Sequence, residues 1–101
     1  MYAVIFKARL AQPDDEYRQT AESLRELAMQ KYGCIDFVSS VDGKDEIAIS
    51  YWENEKQIAA WKNDEAHKLA QEKGRKKWYS AYRVEVCELK RTYESVEDSK
   101  C

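Results

Sequence analysis

With 101 residues the chain has the size of one ordinary domain. Its 17 Lys and Arg against 19 Asp and Glu leave a net charge of −2, which argues against a general nucleic-acid binder, since those are basic overall or along one face. No apolar run approaches the length of a membrane helix, about 18 residues or more, and the N-terminal MYAVIFKARL lacks the pattern of a signal peptide.

Tyr2 to Leu10 alternates, with Tyr2, Val4, Phe6, Ala8 and Leu10 on one face and Lys7 and Arg9 on the other, so it reads as a first strand. Pro13 and Asp14 supply a helix start. Tyr17, Ala21, Leu24 and Ala28 then form one helical stripe, and Gly33 sits where a glycine stops a helix. Cys34 to Val41 is a second strand, with Ile35, Phe37 and Val41 in phase. Asp42-Gly43 signals a turn, with Lys44 and Asp45 extending the hairpin loop. Glu46 to Trp52 is a third strand in which Ile47, Ile49 and Tyr51 alternate. Asn54 caps a short helix ending near Trp61, with Gln57 in the capping-box position. Asp64 caps another helix, running towards Lys73 or Lys77. Tyr82 to Tyr93 is the last strand. Its apolar phase changes between Val86 and Cys87, which predicts a bulge or a new packing partner. Residues 1–94 form the domain and 95–101 a polar tail.

The order β-α-β-β-α-β defines an α+β, ferredoxin-like sandwich with helices on one face of an antiparallel sheet. The other face is expected to carry Ala3, Ile5, Val38, Ala48, Trp52 and Leu89. That is too apolar to leave in water, so a second copy should pack against it.

The segment from Trp61 to Tyr82 holds the candidate site. On a helix starting at Asp64, the residues His67, Ala70, Gln71 and Gly74 share one ridge. His67, the single histidine, is suited to moving a proton near neutrality, although in the first helical turn it also fits a hydrogen-bonded surface role. Trp61 can anchor the core or wall a pocket, and Trp78, Tyr79 and Tyr82 share that double reading. Gly74 ends the helix or permits close backbone approach. The run Arg75, Lys76, Lys77 suits a helix C-terminus, or else the rim of an anion site. Cys34 and Cys87 read as buried small hydrophobes and Cys101 as exposed. The odd count and the lack of a CxxC pair indicate neither a disulfide framework nor zinc, and a reducing cytoplasm fits. With one histidine, a metal site is not expected.

Tyr51-Trp52, Trp61, His67, Ala70-Gln71, Gly74-Arg75, Trp78-Tyr79, Tyr82, Arg91 and Tyr93 together resemble the pattern of the antibiotic biosynthesis monooxygenase domain family. The first strand and helix fit the family more loosely, so the likeness spans nearly the whole chain. The resemblance implies a homodimer whose two sheets form an α/β barrel. Some relatives oxidise polycyclic phenols or quinols with dioxygen and no metal, flavin or other cofactor, because a phenolate can itself reduce oxygen. Carried onto this chain, that activity assigns His67 and Trp61 to catalysis. It assigns Phe37, Tyr51, Gln71, Arg75, Trp78 and Tyr82 to a pocket for a small aromatic ligand, with neither nucleic acid nor membrane as partner. Other relatives degrade haem, but their asparagine and histidine positions fall on Ala8 and near Ala70 here, three residues from His67. A non-catalytic binding or stress-associated module on the same scaffold is the third reading, because one scaffold hosts many functions.

Overall fold

A computed structural model describes residues 1–96. The elements run β1 (Tyr2–Leu10), α1 (Asp15–Lys31), β2 (Asp36–Asp42), β3 (Asp45–Trp52), α2 (Glu55–Lys62), α3 (Glu65–Lys73), a π-helical turn (Gly74–Trp78) and β4 (Tyr79–Glu88). The four strands form one sheet in the order β2-β3-β1-β4, with every neighbouring pair antiparallel. This is the ferredoxin-like arrangement expected from the element order.

The helix starts are set by local chemistry. Asp14, Asn54 and Asp64 each turn a side-chain oxygen onto an orphan backbone N–H of the first turn, at Tyr17, Gln57 and Ala66 respectively. Gln57 completes a variant of the capping box, its Oε1 accepting from Glu53 N rather than from the cap residue. Gly33 leaves α1 with φ +82, a conformation other residues rarely adopt.

The β2–β3 hairpin is tighter than its sequence suggests. Asp42 pairs directly with Asp45, so the loop is only Gly43-Lys44. Gly43 has φ +63 and no non-glycine residue among those described has positive φ, the requirement of a two-residue turn with glycine first. This loop places Phe37 opposite Ser50 and Asp36 opposite Tyr51. Tyr51 therefore lies on the face away from the helices, not beside Phe37 as the sequence reading has it. The same parity corrects Ala48 and Trp52. Ala48 pairs with Phe6 on the helix-covered face, and Trp52 has 0% exposure within the core. The bare face instead carries Ala3, Ile5, Val38, Ile47, Ile49 and Tyr51.

The last strand also differs from expectation, spanning Tyr79–Glu88 rather than Tyr82–Tyr93. The wide turn at Gly74–Trp78 brings the chain back to β1 early, Trp78 O accepting from Ala11 N at 2.7 Å. The pairing irregularity falls there, between Arg9 and Leu10 of β1, and not near Cys87. Cys87 follows the ordinary alternation onto the bare face and is exposed, whereas Cys34 is buried. Cys101 lies outside the described residues. Between helices and sheet, the buried side chains form two clusters. One is built on Trp52, Trp61, Ile58 and Val4, the other on Leu10, Tyr17 and Trp78.

Candidate functional site

Asp64 ties the start of α3 to the end of α1. Its Oδ1 accepts from Ala66 N at 2.8 Å and its Oδ2 from the Tyr32 hydroxyl at 2.6 Å. Those two bonds fix where α3 begins, and hence where His67, three residues later, meets the sheet. The imidazole lies against the Trp61 indole, with ring centroids 4.3 Å apart and an interplanar angle of 66°. Trp61 in turn stands edge-on to Phe37 at 6.1 Å and packs on Trp52 at 5.2 Å. It is thus both core anchor and site wall.

His67, Ala70 and Gln71 share one ridge of α3 and all line a cavity of about 660 Å³ between helices and sheet. That volume lies within the range of ordinary small-molecule sites, about 300–1,000 Å³. The far wall comes from the second cluster. Trp78 and Tyr79 stand edge-on to Tyr17 of α1 at 5.2 and 5.9 Å, and Phe6 stacks on Tyr82 at 6.0 Å. Gly74 is buried against this wall. A Cβ there would come within 2.8 Å of Tyr79 Cδ2, so this glycine permits a close approach at the same point where it ends α3. Tyr82 and Val84, 38% and 46% exposed, mark the open side of the cavity.

The electrostatics favour an uncharged imidazole. Burial holds the His67 pKa below its ordinary value, and Lys62 acts in the same direction; Asp64 opposes but does not outweigh them. Its Nδ1 is buried with no hydrogen-bond partner among the described residues. An unpartnered ring nitrogen on a neutral histidine can accept a proton from a bound ligand. The surrounding aromatic walls offer flat faces for stacking.

The sequence-derived site residues thus divide. His67, Trp61, Phe37, Gln71, Trp78 and Tyr82 all line the one cavity. Tyr51 does not, because β3 turns it to the opposite face. Arg75 is exposed on the π-helical turn and is not part of the cavity wall. The neighbouring bases make ion pairs instead, Lys77 with Asp14 at 2.7 Å and Lys76 with Glu72 at 3.2 Å. The first pair holds the Asp14 carboxyl below the usual carboxylate range. Further lining residues escape a sequence reading, among them Tyr17 on α1 and Glu46 on β3. Tyr17 belongs to an ordinary amphipathic stripe, and Glu46 sits beside a hairpin turn, where a carboxylate suggests solvent. Ala8 and Ala70 supply no ligand atom at the positions used by haem-degrading relatives, and no cluster of three or more His, Cys, Asp or Glu suited to a metal occurs among the described residues. No helix among those residues is long and apolar enough to cross a membrane.

Comparison with known proteins gives a family from sequence and a matching fold from shape. The family model for antibiotic biosynthesis monooxygenases matches residues 1–73. An uncharacterised Bacillus subtilis protein, YqjZ, is 37% identical over 92 residues, covering 89% of this chain and 80% of that protein. A jasmonate monooxygenase of Pyricularia oryzae is 36% identical over 96 residues, but this chain spans only 42% of its length. Among solved structures, SnoaB of Streptomyces nogalater, a cofactor-independent oxygenase, superposes with a TM-score of 0.78 over 93% of this chain and 97% of that one. Its sequence identity is 7%, so that likeness speaks for the fold alone. The chain belongs to the antibiotic biosynthesis monooxygenase family.

Proposed function

We propose that the chain is a cofactor-independent monooxygenase for a small phenolic or quinol-type aromatic molecule bound in the cavity under Trp61. The observation that carries this reading is the buried His67 imidazole, its Nδ1 without a hydrogen-bond partner among the described residues, set against Trp61 in an aromatic-walled cavity. His67 takes the phenolic proton. The resulting phenolate gives an electron to dioxygen, forming superoxide and a substrate radical. Their recombination makes a C–O bond, His67 returns its proton to the peroxide, and loss of water from that hydroperoxide leaves a quinone. In sum, a phenol and one O₂ give a quinone and one H₂O. The chain's own contribution is to hold the ring between Trp61, Phe37, Trp78 and Tyr82, to accept the proton at His67, and to hydrogen-bond the substrate through Gln71. Removing the general base from such a step typically costs about 10²–10⁴-fold in rate.

Oxygen uptake with a panel of hydroquinones and polycyclic phenols tests the reading. Wild-type protein should consume oxygen with at least one member. His67→Ala should lose about a hundredfold or more in kcat/KM while keeping its fold. Binding without any oxygen uptake would assign the scaffold instead to a non-catalytic binding module. We further propose a homodimer through the bare sheet face, supported by the row Ala3, Ile5, Ile49 and Val38 that no helix covers.

A further inference from the structure

The cavity has a second polar end that proton transfer at His67 does not use. Glu46 is only 8% exposed, lines the cavity, and has no hydrogen-bond partner at Oε1 among the described residues. No ion pair engages it among those residues either. Its place follows from strand pairing. Glu46 opposes Ala8 of β1 and Val41 of β2, on the helix-covered face. Ser50, four residues along the same strand and so about 13 Å away, opposes Phe37, the residue Trp61 packs against. The carboxyl therefore stands at the end of the cavity remote from the histidine.

The fold alone gives no reason for a carboxyl there. A buried polar group without a partner is costly, and an apolar side chain of similar volume would suit the position better. The surroundings do supply a binding end. Ala8, beside Glu46, is flanked on its other side by Tyr82 of β4, and Tyr79 packs against both Tyr82 and Phe6. Burial shifts the Glu46 carboxyl towards its protonated form, and burial, reinforced by Glu46, keeps the Tyr79 phenol protonated. A protonated carboxyl both donates and accepts a hydrogen bond. Between the two ends lie Phe6, Ala48 and Val84, with Ser39 beside Ala48 on β2.

We propose that Glu46 is a substrate-binding residue that hydrogen-bonds an oxygen function at the end of the ligand remote from His67, so that the cavity selects flat, elongated aromatic molecules oxygenated at both ends. This rests on the reading of the cavity as an aromatic ligand site, but not on its oxygen chemistry.

The test is anaerobic binding, followed by tryptophan fluorescence, of two probes differing in one hydroxyl: 2,6-dihydroxyanthraquinone and 2-hydroxyanthraquinone. Wild type should favour the dihydroxy probe by about tenfold, the worth of one well-made hydrogen bond. Glu46→Leu should abolish that preference and match or exceed the wild-type Tm. Glu46→Gln, which keeps a hydrogen-bonding end, should retain most of the preference. The proposal is overturned if wild type binds neither probe or shows no preference, if the preference survives in Glu46→Leu, or if Glu46→Leu unfolds or loses stability, which would mark the carboxyl as structural. Failure of oxygen uptake, with the binding pattern intact, counts against the monooxygenase reading alone.

Discussion

Tyr51 and Trp52 are neighbours in sequence and belong to different parts of the molecule. Trp52 is fully buried under α2, its Nε1 donating to Ser50 Oγ at 2.9 Å, while Tyr51 is half-buried on the bare side of the sheet. The contrast runs the length of β3 and β1. The covered face holds two aromatic clusters with the cavity between them. The bare face holds Ala3, Ile5, Val38, Ile47, Ile49 and Tyr51 with Lys7 and Glu85 beside them, and Val38 and Ile47 are still 47% and 43% exposed. One face is thus built around a space, and the other leaves an apolar row uncovered, which suits packing against a second sheet. Because side chains alternate with period two, a single strand serves both purposes without compromise at either.

The largest effect that would test this contrast is at the tryptophan. Trp52→Ala should cost about 3–5 kcal/mol, as for other fully buried aromatic truncations. Tyr51→Ala should cost less than half as much. Urea unfolding measures both, and equal losses would break the distinction between the faces. Next comes a charge on the bare face. Ile49→Asp should preserve the helix and strand signals in circular dichroism yet weaken the proposed dimer by on the order of a hundredfold or more, because an unpaired charge is buried at the interface. The same charge one residue earlier, Ala48→Asp, should unfold the protomer instead. Analytical ultracentrifugation separates the two outcomes, and a wild-type chain that sediments as a monomer at micromolar concentration would remove the dimer.

The smallest effect is in the pH dependence of stability, and it belongs to the covered face. His67 has its folded pKa below the ordinary 6.5, so between the two values the unfolded chain holds more protons. Stability should therefore fall as pH drops through that window and level off below the folded value. Glu46 has its folded pKa above the ordinary 4.5, and there the native state holds the extra proton. Its contribution should fall as pH rises from 4.5 through the folded value. His67→Gln should flatten the first slope and Glu46→Gln the second, each without altering the other. Chemical unfolding at stepped pH reads both, and a slope surviving its own substitution would show that the group does not titrate as its surroundings imply.

Much of this was legible along the chain. The alternation of β1, the caps at Asp14, Asn54 and Asp64, and the ridge of His67, Ala70, Gln71 and Gly74 are local patterns, determined by residues within a turn or two of each other. They were enough to predict the element order, the covered face of β1, and the ridge of α3 that carries His67, Ala70 and Gln71 to the cavity. Other features depend on how distant segments meet. A hairpin loop longer by one residue would have set Phe37 opposite Tyr51 and reversed the face of every β3 side chain relative to β2, so the whole strand hung on Gly43-Lys44 closing in two residues. Likewise, β4 begins at Tyr79 because the π-helical turn delivers Trp78 to Ala11, a pairing that no periodicity in 74–88 announces. Glu46 is the clearest case. Beside a turn, a carboxylate reads as solvated. Its burial arises only when α1, β4 and the Gly74–Trp78 turn close over the end of β3, since desolvation is a property of everything packed around a group and not of the group's neighbours in sequence.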